Sequence, residues 1–318
     1  MIEQNEVVNV IVADKTTTQS NLNRGRKWKN KYLLLIGVFV IIITIAYTLF
    51  TYGQFDAILR LLKQDNHIFY WMLLVGFLAE IVAGSMAMGY GVICTTILLI
   101  LNIPPPIISA SIHSAESFTS AAGTISHYKL GNVNKKLTRM LAIPAVLGAI
   151  AGAIALTYVG ERYARMTKPV LAFYTMYLGI RILQNTFNKK KVSSFKRKIN
   201  ISVLGLIGGF IDSFGGGGWG PLVTGTFIKN GRTPRYAIGS STVAKFILTF
   251  ASAITFIFTV GIHHWNIVAG LLIGGIVTAP FSAMLTTKLP MKKMFFLVGV
   301  VVIIMSLITI YRAIFLGR

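Results

Sequence analysis

Apolar residues fall along this chain in long unbroken runs, not in strict alternation or heptads. Tyr32 to Tyr52, Pro106 to His127, Leu141 to Val159, Val170 to Phe187, Arg235 to Gly261, Ile267 to Thr287 and Met294 to Leu316 are near or above the roughly 20 residues a bilayer-crossing helix needs. The pattern predicts seven full crossings, all α-helical. Two further apolar segments, Ile201 to Ile211 and Pro221 to Ile228, each cover about half of a ~30 Å hydrocarbon core at a rise of about 1.5 Å per residue. They predict two half-helices meeting at Gly215 to Gly218, within the stretch GFIDSFGGGGWGP. Unpaired backbone groups in lipid cost several kcal/mol each, so this turn should face protein or an aqueous cavity. AGSMAMGYG, from Ala83 to Gly91, is a weaker version of the same hairpin.

Composition agrees with a membrane protein. Of 318 residues, 54% are hydrophobic and 13% charged, and the mean hydropathy is +0.68, above the level of soluble domains. The formal charge of +22 does not indicate nucleic acid, because Lys and Arg cluster in short loops between the apolar runs, as membrane topology requires. The first 31 residues are polar and end in RGRKWKNKY, predicting a disordered basic cytoplasmic tail at 1–31 before an extra transmembrane helix at 32–52. That apolar run is too long for a signal-peptide core. Cys94 is the sole cysteine, which excludes an intrachain disulfide and a four-thiolate metal site. No metal or cofactor is expected.

An internal repeat organises the rest. A shift of 129 residues aligns GYGVICTTILLILNIPPPIISASIHSAES, from Gly89, with GWGPLVTGTFIKNGRTPRYAIGSSTVAKF, from Gly218. Identical pairs include Gly89 with Gly218, Gly91 with Gly220, Thr95 with Thr224, Pro105 with Pro234 and Ser111 with Ser240. An acid precedes each glycine cluster (Glu80, Asp212) and an Arg lies near each end (Arg181, Arg312). The expected organisation is a first repeat at 68–187, a basic cytoplasmic linker at 188–199 and a second repeat at 200–316.

Loop charge orients the two copies. With the basic tail inside, the loop carrying Lys129, Lys135, Lys136 and Arg139 falls inside, as do NKKKVSSFKRK, KNGRTPR and the Lys288 to Lys293 loop. The neutral NIPPP and VGIHHW fall outside, while GERYARMTK is basic on a side where the rule prefers neutrality. The second copy therefore starts from the opposite face. The predicted fold is an all-α polytopic membrane protein of two inverted-topology repeats. Each is a re-entrant glycine-tipped hairpin plus three transmembrane helices, with an extra N-terminal helix, a plan that places a transport site where the copies meet near the midplane.

The helix after each hairpin carries a polar stripe. Ser109, His113, Glu116, Ser120, Gly123 and His127 share one face, and Thr242, Lys245, Thr249 and Ser252 share the corresponding one. Glu116 and Lys245 occupy repeat-equivalent positions with opposite charge. An ionisable group deep in a membrane helix costs about 3 kcal/mol or more unless paired or wet, so it marks function by default. Lys245 is the leading substrate ligand; its structural alternative is a salt bridge to Glu116 that locks the copies together. The hydroxyls of Ser240, Ser241 and Thr242, the glycine tip Gly215, Gly216, Gly217 and Gly218 with Trp219, and Ser111 and His113 complete the candidate anion-binding set. Exposed glycine N–H groups and the following helix terminus suit an anion. Glu116 and Asp212 are the candidates for proton coupling, with Glu80 weaker, and His113 is read equally as a proton relay or as a satisfied hydrogen-bonding group. Arg181 and Arg312, near helix ends, are read as snorkelling to the interface.

The segment from Gly209 to Phe246, GFIDSFGGGGWGPLVTGTFIKNGRTPRYAIGSSTVAKF, resembles the TauE/SafE sulfite-exporter family, also called the sulfonate uptake permeases. Gly76 to Gly123 fits the other half, and the similarity spans about Ile68 to Leu316. The resemblance implies a multi-pass carrier of the cell inner membrane that moves sulfite, sulfonates, related organosulfur anions or small carboxylates by alternating access; the cytoplasmic N-terminus is read from loop charge. Its partners would be a small anion and the bilayer, with a homo-oligomer left open. A passive anion channel is the alternative, because re-entrant half-helices also build pores. A membrane enzyme fits less well: Asp212 is the only aspartate in an apolar segment, and no Gly-x-Ser-Gly site is present.

Overall fold

The structure, a computed structural model, describes residues 67–86, 88–187, 199–261, 265–285 and 291–315. The N-terminal tail, the helix expected at 32–52 and nearly all of the linker lie outside the described residues. Among the described residues there are ten α-helices, a single π-helical turn and no strand. In chain order the helices are α1 (Ile68–Met86), α2 (Tyr90–Ile100), α3 (Pro105–Lys129), α4 (Lys135–Arg162), α5 (Ala164–Phe187), α6 (Ile201–Gly215), α7 (Gly225–Lys229), α8 (Pro234–Thr259), α9 (Trp265–Leu285) and α10 (Met291–Phe315). The π turn, Gly220–Thr224, joins α6 to α7.

Local chemistry sets the helix starts. Pro105 and Pro234 open α3 and α8, where the missing proline N–H costs nothing and its φ is already helical. Asn134 caps α4 by accepting from Leu137 N at 3.0 Å, and Asn200 caps α6 by accepting from Ser202 and Val203 N. α2 ends into Asn102 at φ 62 and α7 into Gly231 at φ 77, residues 129 apart in the left-handed conformation that commonly closes a helix.

Four helix pairs carry the most extensive contacts: α4 with α6, α1 with α9, α5 with α10, and α3 with α8. The first two are close-packed through small residues. Gly205 and Gly209 of α6 rest on the backbone of Leu141 and Ala145, while Gly148 and Gly152 of α4 rest on that of Leu206 and Phe210. Gly76 and Gly274 do the same between α1 and α9. Without glycine there, a Cβ would meet main-chain atoms of the neighbour and force the helices apart. Thr175 and Ser306 hydroxyls, 2.9 Å apart, join α5 to α10. The core forms around Met72, Tyr90, Leu98, Ile112, Phe256 and Leu271 and, separately, around Leu141, Trp219, Val223, Phe227 and Leu248.

The outer faces are strongly apolar: Ile143 is 66% exposed, Leu147 60%, Leu297 64% and Phe258 85%. Such a continuous apolar exterior around buried Ser, Thr and charged residues suits lipid rather than water. Three stretches have the length and apolarity to cross a membrane: Lys135–Gly160, Arg235–Thr259 and Phe296–Phe315. Shorter apolar stretches are Ile68–Ala83, Tyr90–Ile100, Ile201–Gly215 and Trp265–Thr278. Helix α3 covers the expected Pro106 to His127 run but is too polar by composition to join the three. Its polar residues Ser109, Ser111, His113, Glu116 and Thr119 are buried, while Phe118 and Ile125 face outward at 59% and 56% exposure. α6 has 15 residues, about 22 Å at the helical rise, and α2 has 11, about 16 Å. Both are shorter than a full crossing.

Candidate functional site

α6 stops at the glycine cluster because the chain there enters conformations only glycine adopts readily. Gly216, Gly217 and Gly218 have φ of 69, 153 and 141. The turn is buried in protein. Gly217 lies against the backbone of Gly91 at the start of α2, where an added Cβ would come within 2.7 Å of main-chain carbon. Thr95 donates to Gly216 O at 2.9 Å, and the Tyr174 hydroxyl of α5 donates to Gly217 O at 2.5 Å. Tyr174 also fills the space beside Gly215 and Gly218.

Three donors of this turn are used internally. Gly216 and Gly217 N–H groups donate to the main-chain oxygen of Asp212, and Trp219 N donates to the Asp212 carboxylate at 2.7 Å. A carboxylate of the protein itself therefore occupies the N-terminal end of the segment after the turn, where an anion is favoured. Trp219 is 1% exposed, and its indole N–H reaches Ser241 Oγ and O at 2.9 and 3.1 Å. Ser241 also contacts the Thr224 hydroxyl at 2.5 Å.

Asp212 and His113 face each other, both with fully buried side chains, Oδ2 lying 3.5 Å from Nε2. These two atoms have no hydrogen-bond partner. The other histidine nitrogen, Nδ1, sits 2.8 Å from Ser109 O and 3.2 Å from Ser109 Oγ. Ser109 Oγ donates to Ser213 O at 2.5 Å, and Ser213 meets Ser252 of α8 at 2.5 Å. Polar contacts thus join α3, α6 and α8.

One turn along α3, Lys245 Nζ donates to Glu116 Oε1, the two side chains being 16% and 5% exposed. The other carboxylate oxygen of Glu116 is buried without a partner. A further turn on, Ser120 Oγ meets Thr249 Oγ1 at 3.4 Å. Residues 129 apart in sequence are thus direct neighbours at two successive turns of α3 and α8. Glu80 of α1 is 7% exposed and within electrostatic reach of both Glu116 and Lys245.

Other predicted ligands are spread around this centre. Ser240, fully buried, accepts from Asn134 N at 2.9 Å and tethers the start of α4. Thr242 donates back to Ile238 O in its own helix. Ser111 is buried on α3. Sequence reading overlooked Tyr174 and Thr95; the repeat-related identity of Thr95 with Thr224 was the available signal for the latter. Arg181 stacks over Tyr177, whereas Arg312 lines, with Lys168 and Asn102, a cavity of about 310 Å³ at the ends of α2 and α10.

A helical bundle with an apolar exterior and paired charges along an interior seam defines a polytopic membrane protein. The chain belongs to the TauE/SafE sulfite exporter family, whose signature matches residues 72–309. Membership makes it a membrane transporter and not an enzyme. Two relatives from Bacillus subtilis (strain 168) extend this. The chain is 33% identical over 240 residues to the probable membrane transporter protein YtnM, covering 73% of this chain and 79% of the relative. It is 24% identical over 226 residues to the probable membrane transporter protein YdhB, covering 69% and 91% respectively. No solved structure matches.

Proposed function

We propose that the protein is a secondary transporter that moves a small anion, sulfite, a sulfonate or a related organosulfur or carboxylate species, across the cell inner membrane. It works by alternating access with proton coupling, its N-terminus in the cytoplasm. The observation that carries this reading is the buried Lys245–Glu116 pair where α3 meets α8. A cation held in a membrane interior by one carboxylate can exchange that partner for an anionic substrate, provided water or protein satisfies the carboxylate released. Glu116 and Asp212 are the two carboxylates placed to take up the coupling proton, one of them doing so in each cycle.

Two inverted repeats are part of the proposal. Supporting it, the five helices before the linker and the elements after it follow one order, their starts about 130 residues apart. Each repeat's fourth long element also packs on the other's first, α4 on α6 and α9 on α1. Such reciprocal pairing is what a pseudo-two-fold axis produces, and residues on that axis meet their own equivalents, as Glu116 meets Lys245. The glycine turns, buried against each other at Gly91 and Gly217, serve as the tips of the two re-entrant hairpins.

The test is anion uptake into proteoliposomes from a panel of labelled sulfite, sulfonates and small carboxylates, with and without an imposed pH gradient. Saturable uptake abolished by Lys245→Ala, with the protein still inserted, is the expected result. Unchanged uptake by that variant removes Lys245 as the ligand, and ohmic conductance in place of saturable flux replaces the carrier with a channel.

A further inference from the structure

We propose that His113 and Asp212 form a one-proton site, with a single proton shared between Nε2 and Oδ2, and that this is the coupling site of the transporter. The coupling role rests on the carrier reading above; the shared proton does not.

The hydrogen-bond inventory leads to it. Nδ1 of His113 faces the Ser109 carbonyl at 2.8 Å, and a carbonyl only accepts. The nearby Ser109 hydroxyl has committed its proton to Ser213 O, so it supplies none to the ring. Nδ1 therefore carries the hydrogen. In a neutral ring Nε2 then presents a lone pair toward Asp212 Oδ2, 3.5 Å away. Both atoms are buried, and neither has another partner. Two acceptors facing each other in a dry site are penalised twice, by lost hydration and by mutual repulsion. One proton, on either atom, satisfies both. The pair is then electrically neutral overall, and carries one negative charge without it.

The direct donor to that carboxylate is the Trp219 N–H, which engages the other oxygen, Oδ1. From α3, Glu116 is already engaged by Lys245 of α8, although Lys245 acts on Asp212 at longer range. From α5, the Tyr174 hydroxyl lies within reach of Asp212 but donates to Gly217 O. Glu80 of α1, with Tyr90 and Cys94 of α2, groups around Glu116. The imidazole also meets the Phe256 ring of α8, 6.0 Å between centroids.

The position of the pair links proton occupancy to the substrate site. Asp212 also holds the glycine turn through Gly216, Gly217 and Trp219 N–H groups. The Trp219 indole holds Ser241, one helical turn before Lys245. A proton arriving at Oδ2 thus acts on the residue that shapes the turn, and through Trp219 on the helix that carries the substrate lysine.

The experiment uses the full chain, labelled with ¹⁵N-histidine, in lipid vesicles; the signal of His113 is the one lost in His113→Gln. The expected spectrum shows Nδ1 protonated and an Nε2 resonance that shifts in Asp212→Asn, a variant that keeps the Oδ1 acceptor for Trp219 N. A neutral ring protonated only on Nε2, or a spectrum indifferent to Asp212→Asn, overturns the shared proton. In a second arm, uptake of labelled methanesulfonate, an ion whose own charge is constant between pH 5 and 8, is followed against pH. Apparent affinity should change by up to about tenfold per pH unit in the native protein, the slope one linked proton imposes, and by much less in both variants. A native slope retained in His113→Gln overturns the coupling role. If the native protein shows no saturable flux for any anion of the panel, the carrier reading fails, and the resonance arm still decides the proton site.

Discussion

Replacing Lys245 with Met removes the only hydrogen-bond partner, among the described residues, of a carboxylate whose side chain is 5% exposed. Breaking a buried ion pair from one side costs about 3–5 kcal/mol, because the remaining charge stays desolvated. The Lys245 side chain is 16% exposed, so some water reaches the gap and the lower figure, about 3 kcal/mol, applies. That corresponds to roughly a hundredfold fall in the folded-to-unfolded ratio. Removing both charges, as in Lys245→Met with Glu116→Leu, should return stability to within about 1 kcal/mol of the native protein or above it, since apolar replacement of a buried pair is neutral or stabilising. Anion uptake should stay absent in the double variant, because the cation that binds the substrate is gone. Denaturant unfolding in mixed micelles, followed by tryptophan fluorescence, measures the first quantity, and proteoliposome flux the second. Native stability in Lys245→Met alone would refute the energetic argument; native flux in the double variant would show that the pair is scaffolding.

Gly217→Ala should cost more than about 2 kcal/mol, combining a left-handed backbone with a Cβ driven into Gly91. Gly131→Ala, at φ 65 but with its Cβ meeting only the end of the Arg235 side chain at 3.9 Å, should cost about 1 kcal/mol; equal unfolding midpoints would contradict the close approach. Trp219→Phe, which strips two acceptors of their indole donor, should destabilise by about 1–3 kcal/mol, measured by circular dichroism during denaturant unfolding. Cysteines introduced together at Ser120 and Thr249, whose hydroxyls are 3.4 Å apart, should form a disulfide under mild oxidant. Protease cleavage between them then yields fragments that separate only on reduction. The buried Cys94 adds little background.

Much of the helical frame could be read from residue pattern alone, because apolar runs, Pro-initiated helices and an Asn or Gly stop are local signals. The polar stripe of α3 was equally legible, since its four- and three-residue spacing can form only one face. Pairing Glu116 with Lys245 was available as well, from a repeat that places them at equivalent positions. What the chain does not spell out is which donors the fold consumes for itself. The glycine tip looks like a ready anion cradle in sequence, but Asp212 takes the Gly216, Gly217 and Trp219 N–H groups from within the same turn, and Ser240 and Ser241 hold Asn134, Trp219 and Thr224. His113 against Asp212 is similarly invisible, because it depends on how α3 and α6, 99 residues apart at that contact, are brought side by side.

The glycine seams bear on how this molecule can change shape. Where α4 meets α6 and α1 meets α9, backbone touches backbone, so neither partner can slide without collision and each couple behaves as a welded beam. Between α3 and α8, by contrast, the joint includes a hydroxyl pair and the Lys245–Glu116 pair beside its apolar contacts, and water can replace those polar contacts bond for bond. Any large rearrangement would therefore rock stiff beams about a soft, wettable hinge, and the residues of that hinge would be the first to see bulk solvent.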